Sequence, residues 1–246
     1  MKLDILAIGV HPDDVELSCA GTLLRHLDLG KKVGILDLTR GELGSRGTAD
    51  TRDIEAQDSA KILGIEYRKN ARMADGFFSH SPDNVKKIVT YIRETRPEIV
   101  LANAISDRHP DHWRAAKLIA DACFYAGLVK IETIDEQGRA QEPWRPKAVY
   151  HYIQDHNLVP DFVVDISPYM DKKIESILAY KTQFYDPNDK DTSMPSTPIS
   201  SKAFFDFLKA KGAAYGRIAN FEFAEGYQVA RTPGVKNLFD LIWFAF

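Results

Sequence analysis

The sequence predicts an α/β protein in which a mostly parallel, doubly wound sheet carries helices on both of its faces. Short apolar runs alternate along the chain with segments whose apolar residues recur at helical spacing. The first run, 3–10, is apolar almost throughout, as expected for a strand that is covered on both faces. Because strands that alternate with helices favour parallel pairing, we expect one large domain over residues 1–246.

Glycine and proline residues bound the predicted elements. Gly30 and Gly64 end the first two helices, since glycine readily adopts the left-handed conformation of a C-cap. Pro82 suits the first turn of the third helix, and Pro97 stops that helix before the next strand. The predicted strands are 3–10, 33–38, 65–68, 99–102, 148–153 and 162–166. The predicted helices are 17–27, 51–63, 81–96, 110–123, 167–180 and one that starts at 202.

Composition excludes several classes of protein. A net charge of −3 gives no general attraction to nucleic acid or to a membrane surface, so we expect neither partner. Two cysteines, Cys19 and Cys123, cannot form a disulfide framework, and we expect a cytoplasmic location. No stretch approaches the ~20 apolar residues of a membrane span. The Pro- and Ser-rich stretch 186–201 is expected to be a long mobile loop, and the apolar residues 238–246 to pack on the core or on another subunit.

Two polar clusters follow predicted strands. His11-Pro12-Asp13-Asp14 comes directly after the first strand, and the sequence Ser-Asp-Arg-His-Pro-Asp-His over 106–112 follows the fourth. In the Rossmann-like strand order 3-2-1-4 the first and fourth strands are neighbours, and ligands bind beyond their carboxyl ends. Both clusters are therefore expected to face one crevice.

The residue types in these clusters predict a zinc centre. Zinc takes imidazole nitrogen and carboxylate oxygen, and a catalytic zinc site uses three protein ligands and leaves the fourth position for water. His11, one carboxylate of the pair Asp13 and Asp14, and one histidine of the pair His109 and His112 would supply that set. The remaining carboxylate could then act as general base, and the remaining histidine could donate a proton or stabilise developing charge.

Other interpretations of the same residues are simpler. Asp13 and Asp14 could be only an N-cap and a first-turn acid of the next helix, worth about 0.5–2 kcal/mol. The sequence His-Pro-Asp-His over 109–112 could be a solvated turn before a helix. The coincidence of both clusters at neighbouring strand ends favours the metal site.

A glycine-rich loop over 41–47 follows the second strand. It is neither Gly-x-Gly-x-x-Gly nor a P-loop, so a nucleotide-binding protein is disfavoured. We expect the loop to let the backbone approach a polar substrate, with Arg46 and Arg52 as candidate partners for an anion or a hydroxyl group. The alternative is a flexible surface turn.

These motifs resemble those of the PIG-L/LmbE-like zinc deacetylases. The resemblance covers most of the chain and is carried by His-Pro-Asp-Asp-Val-Glu over 11–16, Gly-Glu-Leu-Gly-Ser-Arg-Gly-Thr over 41–48, Arg-Asp-Ile-Glu-Ala over 52–56, His-Pro-Asp-His over 109–112 and Ala-Glu-Gly-Tyr over 224–227. It includes two further stretches, Asp-Gly-Phe-Phe over 75–78 and Tyr-Gly-Arg over 215–217. It implies hydrolysis of the acetamide of an N-acetylglucosaminyl conjugate. The two further stretches are similar to a subgroup that acts on N-acetylglucosaminyl-malate in bacillithiol biosynthesis.

The resemblance also implies a role for each residue of the two clusters. It makes His11, Asp14 and His112 the zinc ligands and Asp13 the general base. His109 becomes the charged helper near the oxyanion or the leaving amine.

The same resemblance implies the remaining components. Arg52 and Arg108 would contact the sugar or its acidic aglycone, and each chain would bind one Zn²⁺, or another divalent ion such as Fe²⁺. It further implies a homo-oligomer, for example a hexamer. The same chemistry on another N-acetyl amino-sugar conjugate stays open as an alternative. A non-catalytic metal- or sugar-binding module is disfavoured, because binding a metal requires neither the spare carboxylate nor the spare histidine.

Overall fold

A seven-stranded sheet lies at the centre of the computed structural model, which describes residues 1–185 and 195–241. The strands are β1 Ile5–Gly9, β2 Val33–Asp37, β3 Tyr67–Asn70, β4 Ile99–Ala102, β5 Ala148–Tyr152, β6 Phe162–Asp165 and β7 Ala224–Val229. Their order is β3-β2-β1-β4-β5-β7-β6. The first five strands in this order pair with one another in parallel, and β7 is antiparallel to both β5 and β6. The predicted fold class, α/β with a mostly parallel sheet, is confirmed.

Six α-helices cover the sheet in the described part of the chain. They are α1 Asp14–Asp28, α2 Ala49–Leu63, α3 Pro82–Thr95, α4 Pro110–Ala126, α5 Met170–Leu178 and α6 Lys202–Ile218. Helices α3 and α4 pack together on one face, whereas α1, α2 and α5 pack on the other, and α6 lies against β7. None of these helices is both long and apolar enough to cross a membrane.

The side chains of β1 alternate between the two faces of the sheet. Leu6 and Ile8 enter the core with α3 and α4, whereas Ile5 and Ala7 enter the core with α1. Every residue of β1 is buried. This explains why the strand is apolar throughout, as the sequence predicted.

Cap residues set the helix boundaries, and some differ from the prediction. Thr48 caps α2 and shares a capping box with Thr51, so the helix begins at Ala49 rather than 51. Gly64 ends it in the left-handed conformation with φ 75°, as predicted. The predicted helix 167–180 is a short 3₁₀ turn, Ser167–Tyr169, followed by α5. The third strand is shifted by two residues, to Tyr67–Asn70.

Strand β7 was missing from the prediction. Glu225 and Gly226 interrupt its apolar pattern, so the segment does not read as a buried strand. In the fold Glu225 is buried, and its carboxylate accepts hydrogen bonds from Thr22 and from Lys173, whose Nζ lies 2.6 Å away. Contacts with residues distant in sequence, Thr22 and Lys173, therefore allow the carboxylate of Glu225 to be buried in this strand.

A second buried ionic cluster lies beneath the first helix. The Arg68 guanidinium donates to Asp37 Oδ2 at 2.8 Å and to Glu16 Oε1 at 2.5 Å, and its side chain is 2% exposed. Tyr180 also donates its hydroxyl to Glu16 at 2.9 Å. The cluster connects α1, β2 and β3 with the segment that follows α5.

Two predicted segments lie partly outside the described residues. Residues 186–194 of the predicted loop and 242–246 of the apolar C-terminal stretch are not described. In the described part of the loop, Thr197, Pro198 and Ile199 line a cavity. Of the C-terminal stretch, Leu238 is exposed.

Candidate metal centre and substrate cavity

Both polar clusters meet at the carboxyl ends of β1 and β4, as the sequence predicted. The ring of His11 lies 4.8 Å from the ring of His109 and 5.6 Å from the ring of His112, measured between centroids. The last two rings stack at 5.1 Å. The two strands are direct neighbours in the sheet, so their following loops open onto the same crevice.

Asp14 is fixed by backbone and side-chain contacts. Its Oδ2 accepts hydrogen bonds from the backbone N–H groups of Val10 and His11, each at 3.0 Å. Its Oδ1 lies 3.2 Å from Nε2 of His112. Burial by itself would raise the pKa of Asp14, but the two histidines outweigh burial and lower it. The carboxylate is therefore ionised and oriented in advance.

His11 is surrounded by carboxylates. Its Nε2 lies 3.1 Å from Asp75 Oδ1 and 3.5 Å from Asp111 Oδ2, and its Nδ1 lies 3.8 Å from Asp14 Oδ2. Burial opposes a charge on the ring, yet these acids raise the pKa of His11 to about 10. A pKa this high shows that the position favours a positive charge.

His112 has a similar arrangement with the two nitrogens exchanged. Its Nδ1 hydrogen-bonds to Asp107, a carboxylate that also accepts the backbone N–H groups of Asp155 and His156. A proton held on Nδ1 leaves Nε2 free to bind a metal, next to Asp14. Burial lowers the pKa of His112, but the neighbouring carboxylates raise it to about 9.

The donor set fits a divalent metal ion. Nitrogen atoms of His11, His109 and His112 lie within 4.8 Å of one another, as do ligand atoms of His11, Asp75 and Asp111. The carboxylate of Asp14 is within 4 Å of nitrogens of His11 and His112. Imidazole nitrogen with carboxylate oxygen is a set that zinc and Fe²⁺ accept.

Asp13 does not act as a helix cap. It occupies the N-cap position of α1 with φ 122°, and its side chain makes no capping hydrogen bond. A positive φ is costly for a residue other than glycine, by about 1–3 kcal/mol. Its Oδ2 instead accepts a hydrogen bond from Arg52 Nη1 at 2.8 Å. Burial raises the pKa of Asp13 to about 6, although Arg52 opposes the shift. The simple capping interpretation of Asp13 is therefore wrong.

His109 begins the helix that carries His112. It is the N-cap of α4, and its Nδ1 accepts the backbone N–H of Asp111 at 3.2 Å. In the neutral ring the proton therefore resides on Nε2. Burial, together with the two neighbouring histidines, lowers the pKa of His109.

The predicted arginines lie in different surroundings. Arg52 is buried and donates to Pro12 O at 2.6 Å as well as to Asp13. Arg108 is about half exposed and pairs with Asp155 at 2.9 Å. Arg46 donates to Thr182 O and is absent from the cavity lining, so the structure does not place it where the glycine loop had suggested.

A cavity of about 380 Å³ contains the cluster. This volume is typical of a small-molecule site. Gly41 lies in its wall with φ 64°, and a Cβ there would meet Arg52 Nη2 at 3.3 Å. Glycine therefore allows the backbone to approach the arginine. The described lining also includes His11, Asp13, Asp14, Arg52, Arg108, His109, His112 and Lys211.

Sequence reasoning missed several residues that support the cluster. Asn103 directly follows β4 and Gln154 lies two residues after β5, and each donates an amide N–H to Asp14 at 3.0 Å. Asp75, Asp107 and Asp111 hold the two histidines. The rule that led to the two histidine clusters, polar residues after a buried strand, would also have found Asn103 and Gln154.

Comparison with known proteins gives the class. The family model "PIG-L: GlcNAc-PI de-N-acetylase" matches residues 6–123. A diacetylchitobiose deacetylase from Thermococcus kodakarensis is 29% identical over 94% of this chain and 84% of its own. A probable N-acetyl-α-D-glucosaminyl L-malate deacetylase 2 from Bacillus anthracis is 24% identical over 73% of this chain and 81% of its own.

A solved structure agrees over nearly the whole chain. The conserved protein TT1542 from Thermus thermophilus is 34% identical, covers 96% of this chain and 97% of its own, and superposes with a TM-score of 0.82. The chain thus belongs to the PIG-L family of deacetylases. It is a hydrolase of amide bonds, as the sequence predicted.

Proposed function

We propose that this protein hydrolyses the acetamide of N-acetylglucosaminyl-malate, giving glucosaminyl-malate and acetate in bacillithiol biosynthesis. The broader activity, deacetylation of an N-acetylated sugar conjugate, follows from the family and from the relatives. The observation that carries the proposal is the buried carboxylate of Asp13, which stands beside the histidine cluster in a cavity that also contains basic side chains. Such side chains suit an acidic aglycone.

We further propose one Zn²⁺ per chain, with Fe²⁺ as the alternative, held by His11, Asp14 and His112. When bound, such an ion polarises a carbonyl group and lowers the pKa of a coordinated water. The proposal is supported by the raised pKa values of both histidines and by the carboxylates that orient their rings.

The protein's own residues account for the proton transfers. Asp13 accepts a proton from the attacking water as the oxygen–carbon bond forms, and Arg52 keeps its carboxylate in place. The Nε2–H of His109 donates a hydrogen bond to the oxygen that becomes negative. Asp13 then passes its proton to the nitrogen as the carbon–nitrogen bond breaks, which releases the amine and acetic acid. The acid loses its remaining proton to water and leaves as acetate.

Arg52 and Arg108 are proposed to contact the substrate. Both line the cavity, and a guanidinium can bind a carboxylate through two parallel hydrogen bonds. Arg108 uses its Nε to pair with Asp155, and the rest of its guanidinium is oriented by that contact.

Diacetylchitobiose is the second candidate substrate. It is favoured by the relative from Thermococcus kodakarensis, whose match covers 94% of this chain. We suggest measuring amine release from the malate conjugate, methyl N-acetylglucosaminide and diacetylchitobiose, with metal content determined on the same sample. The highest kcat/KM is expected for the malate conjugate. A higher value for diacetylchitobiose would overturn the proposed substrate and leave the deacetylase class intact.

Location and assembly are also proposed. Cys19 and Cys123 are both free and buried, which is compatible with a reducing cytoplasm. We propose a homo-oligomer, and light scattering coupled to size exclusion would give its mass. A mass of 27.7 kDa, that of one chain, would contradict the assembly.

A further inference from the structure

Lys211 lies in the wall of the cavity and takes no part in the proposed chemistry. It projects from α6, is half-buried, and donates from Nζ to the backbone oxygen of Ile153 at 3.0 Å. Ile153 directly follows β5 and precedes Gln154, whose amide lies 3.0 Å from Asp14 Oδ1. The ammonium group is thus hydrogen-bonded to the loop after β5, the same loop that carries Gln154 beside Asp14.

The charge of Lys211 is not balanced by a close acid. Across residues 1–185 and 195–241, no carboxylate lies within 4.0 Å of its Nζ. Lys173, which lines a small cavity of about 20 Å³ together with Lys211, pairs with Glu225 at 2.6 Å. An ammonium group has three N–H donors, and in the described structure Lys211 uses one. A cation that is partly desolvated and lacks an acidic partner gains most from an anionic ligand.

The surroundings of Lys211 strengthen such an interaction. Phe204, Phe207 and Leu208, all on α6, line the same cavity, and Leu208 is buried. A charge interaction beside such an apolar surface is less screened than one in bulk water. Arg52 and Arg108 line the cavity as well, so that three basic side chains surround it.

We infer that Lys211 is a specificity-determining residue that binds a carboxylate on the aglycone of the substrate. The inference rests on the proposed function, because it assumes an acidic aglycone. It adds a residue that neither motif of the chain contains. Lys211 is expected to stabilise the bound substrate and the transition state equally, because the aglycone carboxylate does not change during the reaction. Loss of Lys211 should therefore raise KM and leave kcat nearly unchanged.

The test is the substitution Lys211→Met, assayed with N-acetylglucosaminyl-malate and with neutral methyl N-acetylglucosaminide. Loss of one charge-assisted hydrogen bond predicts a KM for the malate conjugate that is raised about 10- to 100-fold. The KM for the neutral glycoside should stay within about twofold. Lys211→Arg should restore most of the affinity for the malate conjugate.

Lys209→Met is a matched control. Lys209 lies on the same helix, its side chain is 51% exposed, and it is absent from the cavity lining. Its substitution should change neither KM. Metal content and thermal unfolding of each variant would show that the fold and the metal site are intact.

Failure of the inference and failure of the proposed function give different results. If the wild type prefers the malate conjugate and Lys211→Met keeps that preference, Lys211 is not the carboxylate partner and the proposed substrate stands. If the wild type has no preference, the proposed substrate is wrong. In that case L-malate is tested as an inhibitor of neutral-glycoside turnover by the wild type and by Lys211→Met. Inhibition of the wild type that is lost in the variant supports an anion site at Lys211. Equal inhibition of both proteins, or inhibition of neither, overturns the inference.

The pH dependence supplies a second measurement. Burial, together with Lys173, lowers the pKa of Lys211 to about 8, whereas Asp107, Asp155 and Glu225 oppose the shift. Above that pH the group loses its charge. The ratio of kcat/KM for the malate conjugate to that for the neutral glycoside should therefore fall above about pH 8 in the wild type. In Lys211→Met the ratio should be flat, and an unchanged fall would contradict the assignment.

Discussion

Replacing Asp13 by asparagine separates its chemical role from its structural one. Asparagine has nearly the same shape, and its Oδ1 can still accept the hydrogen bond that Arg52 Nη1 gives to Asp13 at 2.8 Å. It cannot accept a proton from water at neutral pH. Since general-base catalysis typically contributes about 10²–10⁴-fold, kcat should fall by that factor. Metal content should not change, because the proposed ligands stay in place.

The same contact sets the expected change in stability. In Asp13→Asn the ion pair with Arg52 becomes a hydrogen bond from a cation to a neutral amide oxygen, which corresponds to a loss of about 1 kcal/mol. Burial acts in the opposite direction, because it raises the pKa of Asp13 to about 6 and a neutral amide is easier to bury than a carboxylate. For a chain of this size the melting temperature should therefore shift by no more than roughly 2–4 °C. The fold stays intact while kcat falls.

Steady-state amine release, metal analysis and calorimetry on one preparation would make this test. Asp53→Asn is the matched control, because Asp53 also accepts a hydrogen bond from an arginine, Arg40 Nε at 3.0 Å, but lies outside the cavity lining. It should leave kcat unchanged. If Asp13→Asn retained near-normal kcat with full metal content, another group would have to remove the proton, and the assignment of Asp13 would be refuted.

Three further outcomes are expected. Chelation should abolish activity, and added Zn²⁺ or Fe²⁺ should restore it. A His11→Ala, His112→Ala double variant should contain no metal by elemental analysis, and an undiminished metal content would exclude these ligands. Arg68→Met leaves two buried carboxylates without their cation, so denaturant unfolding should show a loss of about 3–5 kcal/mol, and a loss below about 1 kcal/mol would contradict a structural role. Arg52→Lys and Arg108→Lys should each raise KM for the malate conjugate more than for the neutral glycoside. Arg52→Lys should also lower kcat on both substrates, because Arg52 holds the carboxylate of Asp13. Equal rises of KM on both substrates would assign these arginines to the sugar or to the scaffold.

The sequence by itself determined the class of the sheet and the place of the site. Apolar runs such as 3–10 specify strands that are buried on both faces, and this local pattern survives folding because both faces of β1 are covered. The two histidine clusters follow β1 and β4 directly. Strand order then brings them together, so a rule about parallel sheets was sufficient to predict their meeting.

The tertiary structure decided what depends on contacts between distant segments. Strand β7 is interrupted in sequence by Glu225, and its ion pair with Lys173 together with the hydrogen bonds from Thr22 makes burial of that carboxylate tolerable. Asp13 could be taken for a cap until the structure showed its carboxylate turned to Arg52, 39 positions along the chain. Lys211 itself lies outside every motif that the sequence offered, and it lines the cavity because α6 packs against β7. Pattern and spacing describe neighbours along the chain, whereas the charge that surrounds a buried group is set by segments that only the fold brings close.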